Sequence, residues 1–215
     1  MMMPRPVDLR PLMAKVVFIG AMLVTPLAQS SDDPAVFIEN TVQDLLGEFT
    51  ARRDELEADR QALFEMVDRT VGPAFGFQYI SKLVLAKNWK KANAQQRRDF
   101  VKEFRRLMIV TYASGLFGYV GTETMTFKET KIRERQGTLL ATVKTEVMIG
   151  DNSTPLPVVY SLIRKEGENW KVYNLDVGSL NVVLNYRKVI QSLIQSEGFE
   201  GMIENLKNNN DRNYS

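Results

Sequence analysis

Asp176, Tyr173 and Tyr160 are the residues that come nearest to acid–base chemistry in this chain. A buried carboxyl beside two phenols can take and return a proton, as in the isomerases and hydratases hosted by cone-shaped α+β folds. Nothing else in the sequence completes such a site. The 215 residues include no histidine and no cysteine. That removes Ser-His-Asp and Cys-His nucleophiles, His-ligated zinc, the usual neutral-pH general base and every disulfide. No phosphate-cradling G-x-x-x-x-G-K-[ST] loop, G-x-S-x-G elbow or EF-hand pattern occurs either. No two carboxylates stand at the spacing of a catalytic pair. The expectation is a protein that is not an enzyme and needs no metal or cofactor.

The charge pattern narrows the partners. Arg5, Arg10 and Lys15 precede an apolar run, Val16–Ala28, that Pro26 interrupts. Small residues follow at Ala28, Ser30 and Ser31. This is a secretory signal pattern over 1–30, with Ala28-Gln29-Ser30 the better cleavage motif. A spanning helix would need about 20 apolar residues, so an uncleaved anchor is the weaker reading. Removing 1–30 takes three basic residues from 28 and one acidic residue from 26, leaving 25 of each. A mature chain with no net charge does not suit nucleic acid, which wants a strongly basic face. One local exception is Lys87-Asn88-Trp89-Lys90-Lys91, a basic cluster around an aromatic. It reads as a solvated loop whose Trp89 packs on the core, or as a contact for an anionic head group or acidic surface.

The elements that must position these residues follow from periodicity. Asp32-Asp33-Pro34 starts a first helix with an acidic cap and proline at its first position. Further helices are predicted over 59–71, 77–85 and 94–112, the last with an Asn93/Gln96 capping box. From Thr122 the period becomes alternating, giving strands over 122–133, 138–149, 156–165 and 169–177 in an antiparallel meander. Leu139, Ala141, Val143, Thr145, Val147 and Ile149 share one face of the second strand, opposite Lys144 and Glu146. Two helices, 181–196 and 199–207, close a single domain over 31–207, and 208–215 reads as a disordered tail. The helical part covers about 31–120, the sheet about 122–177 and the C-terminal helices about 181–207. The class is α+β, a four-stranded antiparallel sheet covered by helices.

Two blocks carry a resemblance. The strand-to-helix stretch 170–187 contains Trp170, Val172, Asp176, Val177, Ser179, Leu180, Asn185, Tyr186 and Arg187. The stretch 82–112 contains Leu85, Lys87, Trp89, Ala92, Phe100, Phe104, Leu107 and Tyr112. With the first helix they cover about 34–207, and the whole resembles the MlaC, or toluene-tolerance auxiliary, family of soluble periplasmic phospholipid carriers in Gram-negative bacteria. The resemblance implies a curved sheet of the cystatin and nuclear-transport-factor kind joined to an all-helical subdomain. It also implies a monomeric shuttle with phospholipid as its cargo. Its partners would be an outer-membrane lipoprotein–porin complex and an inner-membrane ABC-type lipid transporter complex.

A carrier needs an apolar cavity that its own side chains leave unfilled. The implied lining is Phe104, Met108, Tyr112, Leu116 and Phe117 from the helices, with Val143, Val147, Tyr160 and Leu162 from the sheet. Periodicity alone reads those residues as core. Arg187 could meet a phosphate, but pairing with Asp176 to fasten the last helix is the preferred expectation. The alternative function is a protein-only periplasmic adaptor or chaperone.

Overall fold

Asp33 opens the first helix as predicted, its carboxylate accepting the Ala35 amide at 2.7 Å with Pro34 at the first helical position. The computed structural model describes residues 32–148 and 154–214, so the signal segment, Ile149 and the 151–153 turn lie outside the described residues. Helix α1 (Pro34–Ala51) is followed by a short α2 (Arg53–Ala58), which periodicity did not separate. Helix α3 (Arg60–Thr70) is capped by Asp59, whose carboxylate accepts the Ala62 amide at 3.0 Å. Helix α4 (Phe77–Leu85) stops at Ala86, which holds φ +48° and so cannot continue it. The basic cluster forms α5 (Lys87–Lys91) rather than a loop. Helix α6 (Ala94–Ala113) begins with the predicted capping box, both bonds being 2.9 Å.

The sheet is antiparallel in the order β1-β2-β3-β4-β5. Its strands are β1 (Thr124–Arg135), β2 (Thr138–Met148), β3 (Leu156–Lys165), β4 (Lys171–Val177) and β5 (Leu180–Asn181). Five strands replace the expected four because Leu180 pairs back onto Val177 before the last helix starts. Two register shifts shape the sheet. In β1 the extra residue is Lys128, which leaves Met125, Phe127, Thr130 and Ile132 opposite the inward side of β2. In β4 the extra residue is Tyr173, so Val172, Leu175 and Val177 oppose Leu162, Tyr160 and Val158 on one face. Such bulges bend a strand and re-aim the side chain at the insertion. The outer face of β2 is wet, with Lys144 joined to Glu129 at 2.7 Å and Glu146 to Lys128 at 2.8 Å.

Helix α7 (Val182–Tyr214) is broken at Gly198, whose φ of +74° suits a residue without a Cβ. The predicted disordered tail is helical to Tyr214. Asn210 is buried and Tyr214 lies 4.8 Å from Phe64, ring to ring, so the tail has packing partners that its polar composition concealed.

Candidate functional site

Three apolar clusters make up the core among the described residues. One joins α4, α6 and α7 around Phe100, Phe104 and Ile190. A second joins α1, α2, α3 and the end of α6 around Phe49, Leu56 and Phe64. The third sets α1 on the sheet around Ile38, Val143, Leu162 and Trp170. The Trp170 indole N–H donates to the Asp32 carbonyl at 3.1 Å, which fixes the start of α1 against β4. Phe75 packs against both the first and the third. Where the clusters meet lies a partly open hollow of about 310 Å³.

Each wall has a local cause. Helix α6 contributes Met108, Ile109, Tyr112 and Ala113, a stripe at helical spacing. A 3₁₀ turn after it brings Leu116. The bulged strand β4 contributes Tyr173, Leu175 and Val177, and the start of α7 adds Val182 and Val183. Leu45, Val67, Val71, Gly72, Phe75, Phe77 and Ile80 close the remaining sides. No charged side chain lines the hollow among the described residues, and its polar amide, Asn174, is already occupied accepting from the Val183 N–H at 3.2 Å. Tyr112 lines the hollow yet is half exposed, so its ring stands at the rim. Burial and then the neighbouring Tyr186 phenol push the Tyr112 hydroxyl up to about 12. Burial raises the Tyr173 phenol as well.

Of the nine residues expected to line a cavity, Met108, Tyr112 and Leu116 line this one. The other six pack elsewhere. Phe104 is fully buried, stacked on Phe100 at 5.5 Å with Tyr186 edge-on at 5.4 Å. Phe117 packs on Phe49 at 6.0 Å. Val143, Leu162 and Tyr160 belong to the cluster under α1, and Val147 stands beside Met125 and Leu156 in the sheet. The physical reason is the position of α1, which lies against β1 and β2, while β4 is the strand that lines the gap. The lining residues from β4 and α7 sit inside the 170–187 stretch whose pattern was the most distinctive in the sequence.

The acid–base trio is not assembled. Asp176 pairs with Val159, so it points to the face opposite Tyr160, and it accepts the Asn181 side-chain amide instead. Arg187 does not pair with Asp176 either; its guanidinium reaches the Leu83 carbonyl. Among the described residues no group of three or more acidic side chains could hold a metal ion.

The MlaC protein family profile matches residues 39–208. Toluene tolerance protein Ttg2D of Pseudomonas putida is 27% identical over 177 residues, covering 82% of this chain and 78% of that protein. A solved structure of a phospholipid-binding protein from Ralstonia solanacearum, in complex with a phospholipid, matches with a TM-score of 0.72 at 22% identity. That match covers 85% of this chain and 99% of the other, and it establishes a common fold. Because the profile runs from α1 through the strand and helices that wall the hollow, the chain belongs to the MlaC family.

Proposed function

We propose that this chain is a periplasmic phospholipid carrier that keeps fatty tails in the hollow between α6, α7 and β4 while the head group stays in water. The observation that carries the reading is the lining: a partly open apolar surface with no charged side chain among the described residues. Each methylene exposed to water costs about 0.8 kcal/mol, so a diacyl lipid cannot cross an aqueous gap at a useful rate without such a shelter. The phospholipid in the Ralstonia relative and the name of the Pseudomonas one support the same reading. So does the signal pattern over residues 1–30.

At about 310 Å³ the hollow is at the small end of the roughly 300–1,000 Å³ of ordinary ligand pockets. It suits part of one tail, and admitting a second requires α6 and β4 to part. The finer reading is a monomeric shuttle between an outer-membrane lipoprotein–porin complex and an inner-membrane ABC-type lipid transporter complex, with no cofactor and no reaction of its own.

Organic extraction of the purified mature protein, followed by mass spectrometry, tests the core of this. Phospholipid near one molecule per chain is the expected result. A clean extract from well-folded protein would instead favour a protein-only adaptor.

A further inference from the structure

We infer that the groove along the far side of α6 is a docking surface for an acidic segment of a partner protein. The groove encloses about 840 Å³ and shares only Phe77 and Ile109 with the hollow, so it is a separate surface on the other side of that wall. Its floor is aromatic, and the floor holds the cations. The Arg97 guanidinium lies 5.4 Å from the centre of the Trp89 ring, Arg105 lies 5.5 Å from Phe77 and Arg106 lies 4.7 Å from Tyr214. Stacking of this kind fixes the plane of a guanidinium.

The two ends of the groove differ in charge. At the Tyr214 end the cations are neutralised, Arg105 by Asp68 and Arg106 by Glu103 and Asp211. At the Trp89 end they are not. Arg97 donates to the Trp89 carbonyl and Arg98 to the Gln95 side chain, both neutral oxygens. Exposed Lys102 reaches its nearest carboxylate, Glu103, only at 3.9 Å. Lys87, Lys90 and Lys91 on α5 add three more cations that make no ion pair among the described residues. In a mature chain with equal numbers of acids and bases, this is a concentrated local field.

The shape selects the partner. An extended peptide can lie along the groove with its carboxylates on Arg97, Arg98 and Lys102 and its apolar side chains on the aromatic floor, a pairing of charge and grease that a flat array of head groups does not match. Arg97 to Arg105 spans about 12 Å of helix at 1.5 Å per residue. That length takes about four extended residues at roughly 3.3 Å each. The fitting segment has its Asp or Glu residues toward Trp89 and an apolar side chain toward Phe77 and Ile109. Docking here does not depend on what the hollow carries.

The chain has two tryptophans, and Trp170 is fully buried, so Trp89 fluorescence reports on the groove. The mature protein is titrated with a synthetic peptide of alternating Glu and Leu, with its Gln-for-Glu counterpart, and with phosphatidylglycerol vesicles. The Glu peptide is expected to bind saturably, to weaken as salt rises, and to lose at least tenfold in affinity to R97E/R98E/K102E. R98Q/K102Q, which alters only exposed positions, should lose several-fold with unchanged circular dichroism. Equal binding of the Gln peptide, undiminished binding to both variants, or no binding of the Glu peptide at millimolar concentration overturns the inference. Vesicles that displace the peptide would reassign the surface to a membrane.

Discussion

The Arg187 Nε on α7 donates to the Leu83 carbonyl of α4 at 2.9 Å. Leu83 belongs to the last turn of α4, whose carbonyls have no partner within the helix. The bond therefore closes a helix end and clasps α7 to α4 beside the hollow, whose wall includes Ile80 and Val183 from these two helices. Removing it leaves a half-buried carbonyl unpaired. Arg187→Ala should lower unfolding stability by about 1.5–3 kcal/mol, the usual worth of a hydrogen bond to a charged group. Urea unfolding of extracted protein measures this, and Arg187→Lys should restore only part because its single ammonium cannot copy the Nε geometry.

Phe104 and Met108 sit one turn apart on α6 but face different surroundings. Phe104 is enclosed by Phe100 and Tyr186, whereas Met108 borders empty space. Phe104→Ala should cost about 3–5 kcal/mol, as core aromatic truncations do. Met108→Ala should cost less than about 2 kcal/mol, because the atoms it loses had neighbours on one side only. Lipid-free protein must be compared, since bound tails would supply Met108 with the missing contacts. Equal losses at the two sites would mean that the hollow is closed in solution.

The element order was legible because it rests on local signals. Asp33-Pro34, the Asn93/Gln96 box and the alternation of β2 each act within a few residues, and each stands where its pattern put it. What periodicity could not reveal was which apolar stripe stays uncovered. Val143 and Leu162 carry the same inward pattern as Leu175 and Val177, yet the first pair is fully buried and the second borders the hollow. That difference depends on where a distant helix lands. The insertion of Tyr173 was equally hidden, since a bulge becomes visible only against the register of β3. The Arg187 expectation failed for a related reason: a carboxylate eleven positions back looked local, but the carbonyl that won comes from α4.

The polar tail beyond Lys207 is helical and packed, and one of its asparagines supplies a test. The Asn210 side-chain amide donates to the Glu103 carbonyl at 2.9 Å and to its carboxylate at 3.0 Å, both in the interior. Glu103 is buried and otherwise relies on Arg106 and a distant Lys102. Asn210→Ala should therefore cost about 1.5–3 kcal/mol, because the buried Glu103 carboxylate and carbonyl each lose a donor while Arg106 remains. A disordered tail would give no change, so the unfolding midpoint decides between the two descriptions.

Tyr112 gives the hollow a pH signature. Its phenol is raised from 10 to about 12 by burial and by Tyr186, so folding favours the neutral form. The stability this contributes is complete below pH 10 and is lost as pH rises through about 12. Phenolate absorbance should show a late-titrating fraction, to which the buried phenols of Tyr160, Tyr173 and Tyr214 also contribute, and Tyr112→Phe should shrink that fraction by one tyrosine. A Tyr112 that ionises with the exposed tyrosines would mean its ring does not stand against the apolar rim.

Ala113 offers a way to close the hollow without disturbing what surrounds it. It lines the cavity from the last turn of α6 and is buried where the hollow meets the Phe49–Phe64 cluster. Forcing a ring into a packed site typically costs 1–3 kcal/mol, whereas a ring that drops into existing space gains contacts. Ala113→Phe should thus keep stability within about 1 kcal/mol of the parent while co-purifying phospholipid falls several-fold. The two readouts move independently. Undiminished lipid on a stable variant would place the tails outside this hollow. A large loss of stability would show that the space is not there to fill.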